Sequence, residues 1–149
     1  NEKYYSDIIK LYKETGATNY DELLGIETYA VLNNEILFGD EAILACPPDT
    51  VFDYVMLNED SNIKVWNYSV SGDFIATNSE LEYVYPKCVF GGNVSIVLTN
   101  ITEWSSDVGG SFDADCSELE KIINCKIEGE IIVNDNVKII REEKHSMRM

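Results

Sequence analysis

From Ile26 to Arg141 the chain is broken every few residues, because short apolar or alternating runs are separated by clusters of Asn, Asp, Gly and Pro. Such clusters favour turn conformations, and the runs between them are too short for ordinary helices, so this segment is restricted to short strands. The pattern predicts strands over Glu27–Leu32, Glu35–Phe38, Glu41–Cys46, Ile63–Tyr68, Asp73–Thr77, Leu81–Tyr85, Asn93–Thr99, Ser111–Cys116, Lys126–Val133 and Val137–Arg141. Turn signals stand between them at Asn33-Asn34, Gly39-Asp40, Pro47-Pro48-Asp49, Gly91-Gly92, Gly109-Gly110 and Asn134-Asp135-Asn136. Strands at this spacing are expected to form a sandwich or a barrel. No internal repeat is visible along them.

The first 25 residues differ. Tyr4, Tyr5, Ile8, Ile9, Leu11 and Tyr12 recur at helical spacing, with Gly16 as a stop. Thr18-Asn-Tyr-Asp21 then resembles a capping box ahead of Leu23-Leu24 and Gly25. The expected organisation is a helical arm over 1–25, one β domain over 26–141 and a flexible polar tail over 142–149. A single domain suits a chain of 149 residues that is 45% hydrophobic.

Charge narrows the partners. Twenty-seven acids against 11 Lys and Arg give a net charge of −16, which opposes approach to nucleic acid or to anionic membrane surfaces and favours a basic protein surface. No apolar run is long enough to cross a bilayer. The start at Asn1, without an initiator Met, is expected of a processed or trimmed chain.

Cys46, Cys88, Cys116 and Cys125 are even in number and lack the CxxC spacing of zinc and redox motifs, and His145 is the single histidine. Two disulfides are therefore expected, in any of three pairings, which places the chain in an oxidising compartment. Three N-glycosylation triplets, beginning at Asn67, Asn93 and Asn100, point the same way, to a secreted or extracellular protein, as a soluble chain or an ectodomain.

Catalytic patterns are sparse. One histidine and no G-x-S-x-G elbow give no nucleophile–base pair, and no spacing singles out two carboxylates. The Gly-Gly pairs lack the Lys and the following helix of a phosphate loop. Asp113, Asp115 and Glu118 do not match a calcium loop. The expectation is a binding protein with no enzymatic activity, cofactor or metal.

One arrangement is more specific. Gly39-Asp-Glu-Ala-Ile-Leu-Ala-Cys46-Pro-Pro resembles the second strand of an immunoglobulin domain, Ile63-Lys-Val-Trp66 the third, and the run from Asn93 to Thr102 the fifth. Asp107-Val-Gly109, with Phe112 and Cys116 after it, resembles the corner before the sixth, although Ala114 stands where the corner Tyr belongs. The chain thus resembles a diverged variable-type immunoglobulin domain of the kind found in virus-encoded secreted immunomodulators and decoy receptors.

The resemblance implies an immunoglobulin-like β-sandwich with a short N-terminal helical extension, bridged by Cys46–Cys116 with Cys88–Cys125 as the second pair. Cys46–Cys88 with Cys116–Cys125 is the rival pairing. It further implies an immune-modulatory binding protein that engages a host cytokine, chemokine or leukocyte surface receptor. Two other readings are a chemokine-binding β-sandwich of the poxviral immune-evasion type and a self-associating adhesive ectodomain. Contact residues are sought among the aromatics Tyr83, Tyr85, Phe74, Tyr68 and Trp104, because Tyr and Trp anchor interfaces at low entropic cost.

Overall fold

The computed structural model describes residues 28–141. Within them β1 (Tyr29–Leu32) and β2 (Glu35–Phe38) form an antiparallel hairpin through Asn33 and Asn34, and α1 (Asp40–Leu44) follows. The chain then winds through successive coils. The first carries β3 (Val51–Phe52), β4 (Tyr54–Met56) and β5 (Val65–Trp66), and the second β6 (Ser69–Val70), β7 (Phe74–Ile75) and β8 (Tyr83–Val84). The third carries β9 (Val89–Phe90), β10 (Val94–Ser95) and β11 (Glu103–Trp104), and the fourth β12 (Asp107–Val108), β13 (Phe112–Asp113) and β14 (Lys121–Ile123). A fifth coil has β15 (Ile131–Ile132) and β16 (Lys138–Ile140), with Ile127 bridging to Val108 in place of a first strand.

Each coil pairs in parallel with the next. On the first face Val51 meets Ser69, Val70 meets Phe90, Val89 meets Asp107 and Val108 meets Ile127, so the register advances by 18, 20, 18 and 19 residues. On the second face β4, β7, β10, β13 and β15 stack in order, with β1 and β2 extending that sheet at its N-terminal end. The third face is built from β5 and β8, then β11, β14 and β16. The molecule is a three-faced β-solenoid, a repeat architecture in which no coil buries its apolar side alone and stacking supplies a continuous core.

That finding corrects the immunoglobulin-like sandwich. A sandwich needs antiparallel sheets facing each other, whereas every pairing between coils here is parallel. The poxviral-type sandwich fails for the same reason, and the expectation of a chain without repeats fails with the 18 to 20 residue register. Glu41–Cys46, expected as a strand, is occupied mainly by α1, which starts after Gly39 at φ 91° and has Asp40 and Glu41 in its first turn, where acids complement the helix dipole. The predicted helical arm over 1–25 and tail over 142–149 lie outside the described residues.

Equivalent positions explain why this sequence stacks. Inward columns run Phe52, Val70, Phe90, Val108 on the first face and Val55, Phe74, Val94, Phe112 on the second, with Trp66, Val84, Trp104, Ile122 on the third; all are buried. Burying each such side chain contributes about 1.5–3 kcal/mol. At the corner between the second and third faces, Ser61, Ser79 and Ser117 accept the amide two residues on, from Ile63, Leu81 and Leu119, which turns the chain without leaving a buried donor unpaired. The turn on the same side holds Asn78, Leu98 and Cys116 at positive φ, a conformation that suits Asn better than Leu.

The corner between the first and second faces is tighter. The Gly91, Gly92, Gly109 and Gly110 signals, expected as turns between strands, stand at a corner where Gly92 N donates to Gly72 O at 3.0 Å, Gly110 N to Gly92 O at 2.9 Å and Gly129 N to Gly110 O at 2.9 Å. A Cβ at any of Gly72, Gly92, Gly110 or Gly129 would strike the preceding coil. Beside this stack, Asp73 Oδ1 accepts Asn93 N, Asn93 Oδ1 accepts Ser111 N, and Ser111 Oγ accepts Glu130 N. Side chains of one coil thus satisfy backbone amides of the next.

Candidate binding surface

Inward and outward positions alternate along each short strand, and a corner resets the phase between strands. Ile63 and Trp66 are therefore both buried while Val65 between them is 45% exposed. Three of the five candidate aromatics fall on the inside. Phe74 and Trp104 are fully buried, and Tyr68 is buried with its hydroxyl donating to Cys46 O at 2.8 Å. Together Phe52, Trp66, Phe74, Phe90, Trp104 and Phe112 form a continuous aromatic column with ring centroids 4.9–5.8 Å apart. These rings are core and not contact residues.

Tyr83 and Tyr85 are different. Both point outward on the third face, each 41% exposed, with ring centroids 5.2 Å apart and planes at 79°. The backbone beneath them is held from both sides: Tyr83 N donates to Lys64 O at 3.1 Å, Tyr85 N to Trp66 O at 3.1 Å, and Ser106 Oγ to Tyr85 O at 2.9 Å. Edge-to-face packing fixes the rings relative to each other.

The register brings further residues to this pair that strand prediction alone does not show. Val65 lies opposite Tyr83 on the preceding coil, and Lys64 at its side contacts Glu80 at 3.0 Å and Glu82 at 3.8 Å. Hydrogen bonding to Glu80 raises the Lys64 pKa, so its charge stays on, and the exposed Glu103 adds an acid on the following coil. The site is an apolar centre of Val65, Tyr83 and Tyr85 with a charged border, in which Glu80 and Glu82 are paired with Lys64 and Glu103 lies opposite Lys121 on the next coil. Aligning the coils in the sequence and reading outward positions down one face was the signal that would have assembled it.

The cysteines take up separate places. No two of them are bonded to each other in this structure. Cys88 and Cys125 occupy the same corner two coils apart, with Ser106 at the equivalent position between them, and two rungs of about 4.8 Å each put them about 10 Å apart, beyond the roughly 7 Å that a disulfide spans. Cys46 precedes the first coil while Cys116 belongs to the fourth, a separation of three rungs. Cys116 and Cys125, the rival pair, sit at different corners of the fourth coil.

Burial raises Cys88 and Cys125 to about 11, so neither is a thiolate at neutral pH. A native labelling experiment should therefore modify the exposed Cys116 first, leave Cys88 and Cys125 unreacted until the chain unfolds, and count four thiols in denaturant. Fewer than four in the non-reduced, denatured chain would show a disulfide and support an oxidising compartment.

A cleft of about 310 Å³ opens at the N-terminal end of the first face, lined by Pro48, Asp49, Thr50, Val51, Asn67, Ser69, Lys87 and Cys88. The protonated Cys88 thiol gives it no activated nucleophile. Of the glycosylation triplets, Asn67 is half-buried in this cleft, Asn93 is exposed but uses Oδ1 to hold Ser111 N, and Asn100 is exposed. Among the described residues no three His, Cys, Asp or Glu side chains gather as metal ligands. Compared with protein-family models, with curated proteins and with solved structures, the chain matches none.

Proposed function

We propose that this chain is a protein-binding solenoid whose third face engages a partner with an apolar knob and a basic surround. The observation that carries the reading is the exposed Tyr83–Tyr85 pair, packed edge to face on a backbone pinned by coils above and below. Rigid aromatics lose little conformational entropy on binding, and such residues dominate interface energetics. The net charge of −16 supplies long-range attraction for a basic partner, and at the pair itself Glu80, Glu82 and Glu103 outnumber Lys64.

The test uses short displayed peptides of random sequence, selected on the full chain and counter-selected on the Tyr83→Ser, Tyr85→Ser double variant. Enriched peptides should carry an aromatic or aliphatic residue flanked by Lys or Arg. Loss of two anchors at about 1 kcal/mol or more each predicts at least a roughly tenfold weaker binding to the variant. Affinity should also fall as salt screens the acids. Failure to enrich any sequence, or equal binding to the double variant, sinks the reading.

A further inference from the structure

β1 is apolar on both of its sides. Ala30 and Leu32 face the core of the coils, while Tyr29 and Val31 face outward on the second sheet, beside Ile36 and Phe38 of β2 and Tyr54 and Met56 of β4. A strand with one side in water alternates apolar and polar residues, whereas a continuous apolar run belongs to a strand covered on both sides. The outward side is covered: Tyr29 is 0% exposed and Ile36 2%. Ile36 is the sharper case, because β2 is an edge strand. At the opposite edge of the same sheet, and on the same side, Ile132 of β15 is 39% exposed.

Neighbours within the sheet do not account for this burial. The Tyr29 ring lies 5.8 Å from Tyr54, with planes at 17°, and 6.3 Å from Phe38, so those rings shield its flanks and leave the side that faces away from the sheet. Among the described residues, the apolar side chains packed with Tyr29, Val31, Ile36 and Phe38 are Tyr54 and Met56, which belong to the same side of the same sheet. α1, which packs against β1 and β2, lies on the inner side with Ile43 in the core. The cover has to come from outside residues 28–141.

The chain enters beside this patch. Thr28 is buried, its Oγ1 donates to Asn58 Oδ1 at 3.0 Å and accepts Asn58 N at 3.1 Å, and its carbonyl accepts Gly39 N at 2.9 Å, so residue 28 is fixed next to Tyr29 and Phe38. Ahead of it stands the segment in which Tyr4, Tyr5, Ile8, Ile9 and Tyr12 make an apolar stripe at helical spacing, with Ser6, Asp7, Lys10 and Lys13 off the stripe. As the expected helix, Tyr4 to Tyr12 is about 12 Å long, close to the roughly 13 Å of a four-residue strand. Residues 13–27 can reach up to roughly 50 Å, several times the roughly 10 Å across β2, β1 and β4. Such a tether holds the stripe near the patch at about millimolar effective concentration, which favours it over any separate chain. We infer that the outer side of β1, β2 and β4 is the seat of the chain's own residues 4–12, which lay their tyrosines and isoleucines across Tyr29, Val31, Ile36 and Phe38 and finish the cap of the solenoid.

A photo-crosslinking phenylalanine analogue, placed in the full chain in turn at Ile36 and at the half-buried Met56, should join to a peptide containing residues 4–12, in a product with the 16.8 kDa mass of one chain. The Ile8→Asp, Tyr12→Asp double variant should keep its strand dichroism, lose that cross-link and bind an apolar dye severalfold more strongly, because the patch is then open to water. No cross-link at either position overturns the inference, as does a cross-link to a segment outside residues 1–25 or a product of twice the chain mass. A folded double variant that cross-links unchanged overturns it as well. Where the double variant fails to fold, the cross-links on the otherwise unaltered chain decide. Failure of peptide binding at Tyr83 and Tyr85 leaves the cross-links in place, so the two proposals fail separately.

Discussion

Trp104→Ala is expected to lower the free energy of unfolding by about 3–5 kcal/mol, measured by denaturant titration. Its indole is fully buried between Phe90, at 5.3 Å, and Phe112, at 4.9 Å, and its N–H donates to Ser106 O at 2.8 Å. Truncation removes the ring contacts and the donor together. The void cannot close readily, because the coils on either side are held at fixed spacing by parallel ladders, and the cost of a cavity grows with the volume that fails to collapse. Tyr83→Ala, on an exposed ring, should cost under about 1 kcal/mol. The contrast separates the two roles: a Trp104 loss below about 1 kcal/mol would place that ring outside the core, while a large Tyr83 loss would make the exposed pair structural.

How far the sequence disclosed this arrangement depends on the range over which it was read. Local rules located β2 at Glu35–Phe38 and placed strand-like runs over β1, β5, β7, β8, β10, β13, β15 and β16, where the paired residues sit inside a longer apolar or alternating run. They missed β3, β4, β6, β9, β11, β12 and β14, each two or three residues long. The decisive information was long-range. Phe52, Val70, Phe90 and Val108 share a column, as do Ser61, Ser79, Thr99 and Ser117, but the step between members varies from 18 to 20 residues, which hides the repeat from fixed-period comparison. Cysteine order and Trp66 then suggested an immunoglobulin pattern that matched spacing in part of the chain without matching strand direction. At the candidate site, alternation alone left Phe74, Tyr68 and Trp104 equal to Tyr83 and Tyr85; only the register between coils divides them.

Gly110→Ala should reverse the usual sign of such a change. Where the backbone tolerates it, replacing Gly by Ala stabilises a protein by about 0.4–1 kcal/mol through the unfolded chain. Here a Cβ would meet Gly92 C and O at 2.8 Å each and would also press on Asn93 Oδ1, which holds Ser111 N. Two of these three atoms are backbone and have no rotamer to yield. The coils must separate locally, loosening the Gly110 N to Gly92 O and Gly129 N to Gly110 O bonds on both sides of the substitution. Overpacking of this kind costs about 1–3 kcal/mol, and the shared ladder puts Gly110 at the upper part of that range. A thermal melt of Gly110→Ala should therefore fall below the wild type, and Asn93→Ala combined with it should recover only part of the loss, because the Gly92 carbonyl still blocks the added methyl. Unchanged or raised stability in Gly110→Ala would mean that the coils do not approach this closely at the corner, and the stack of Gly72, Gly92, Gly110 and Gly129 would lose its role in setting the spacing on which the outward Tyr83–Tyr85 surface depends.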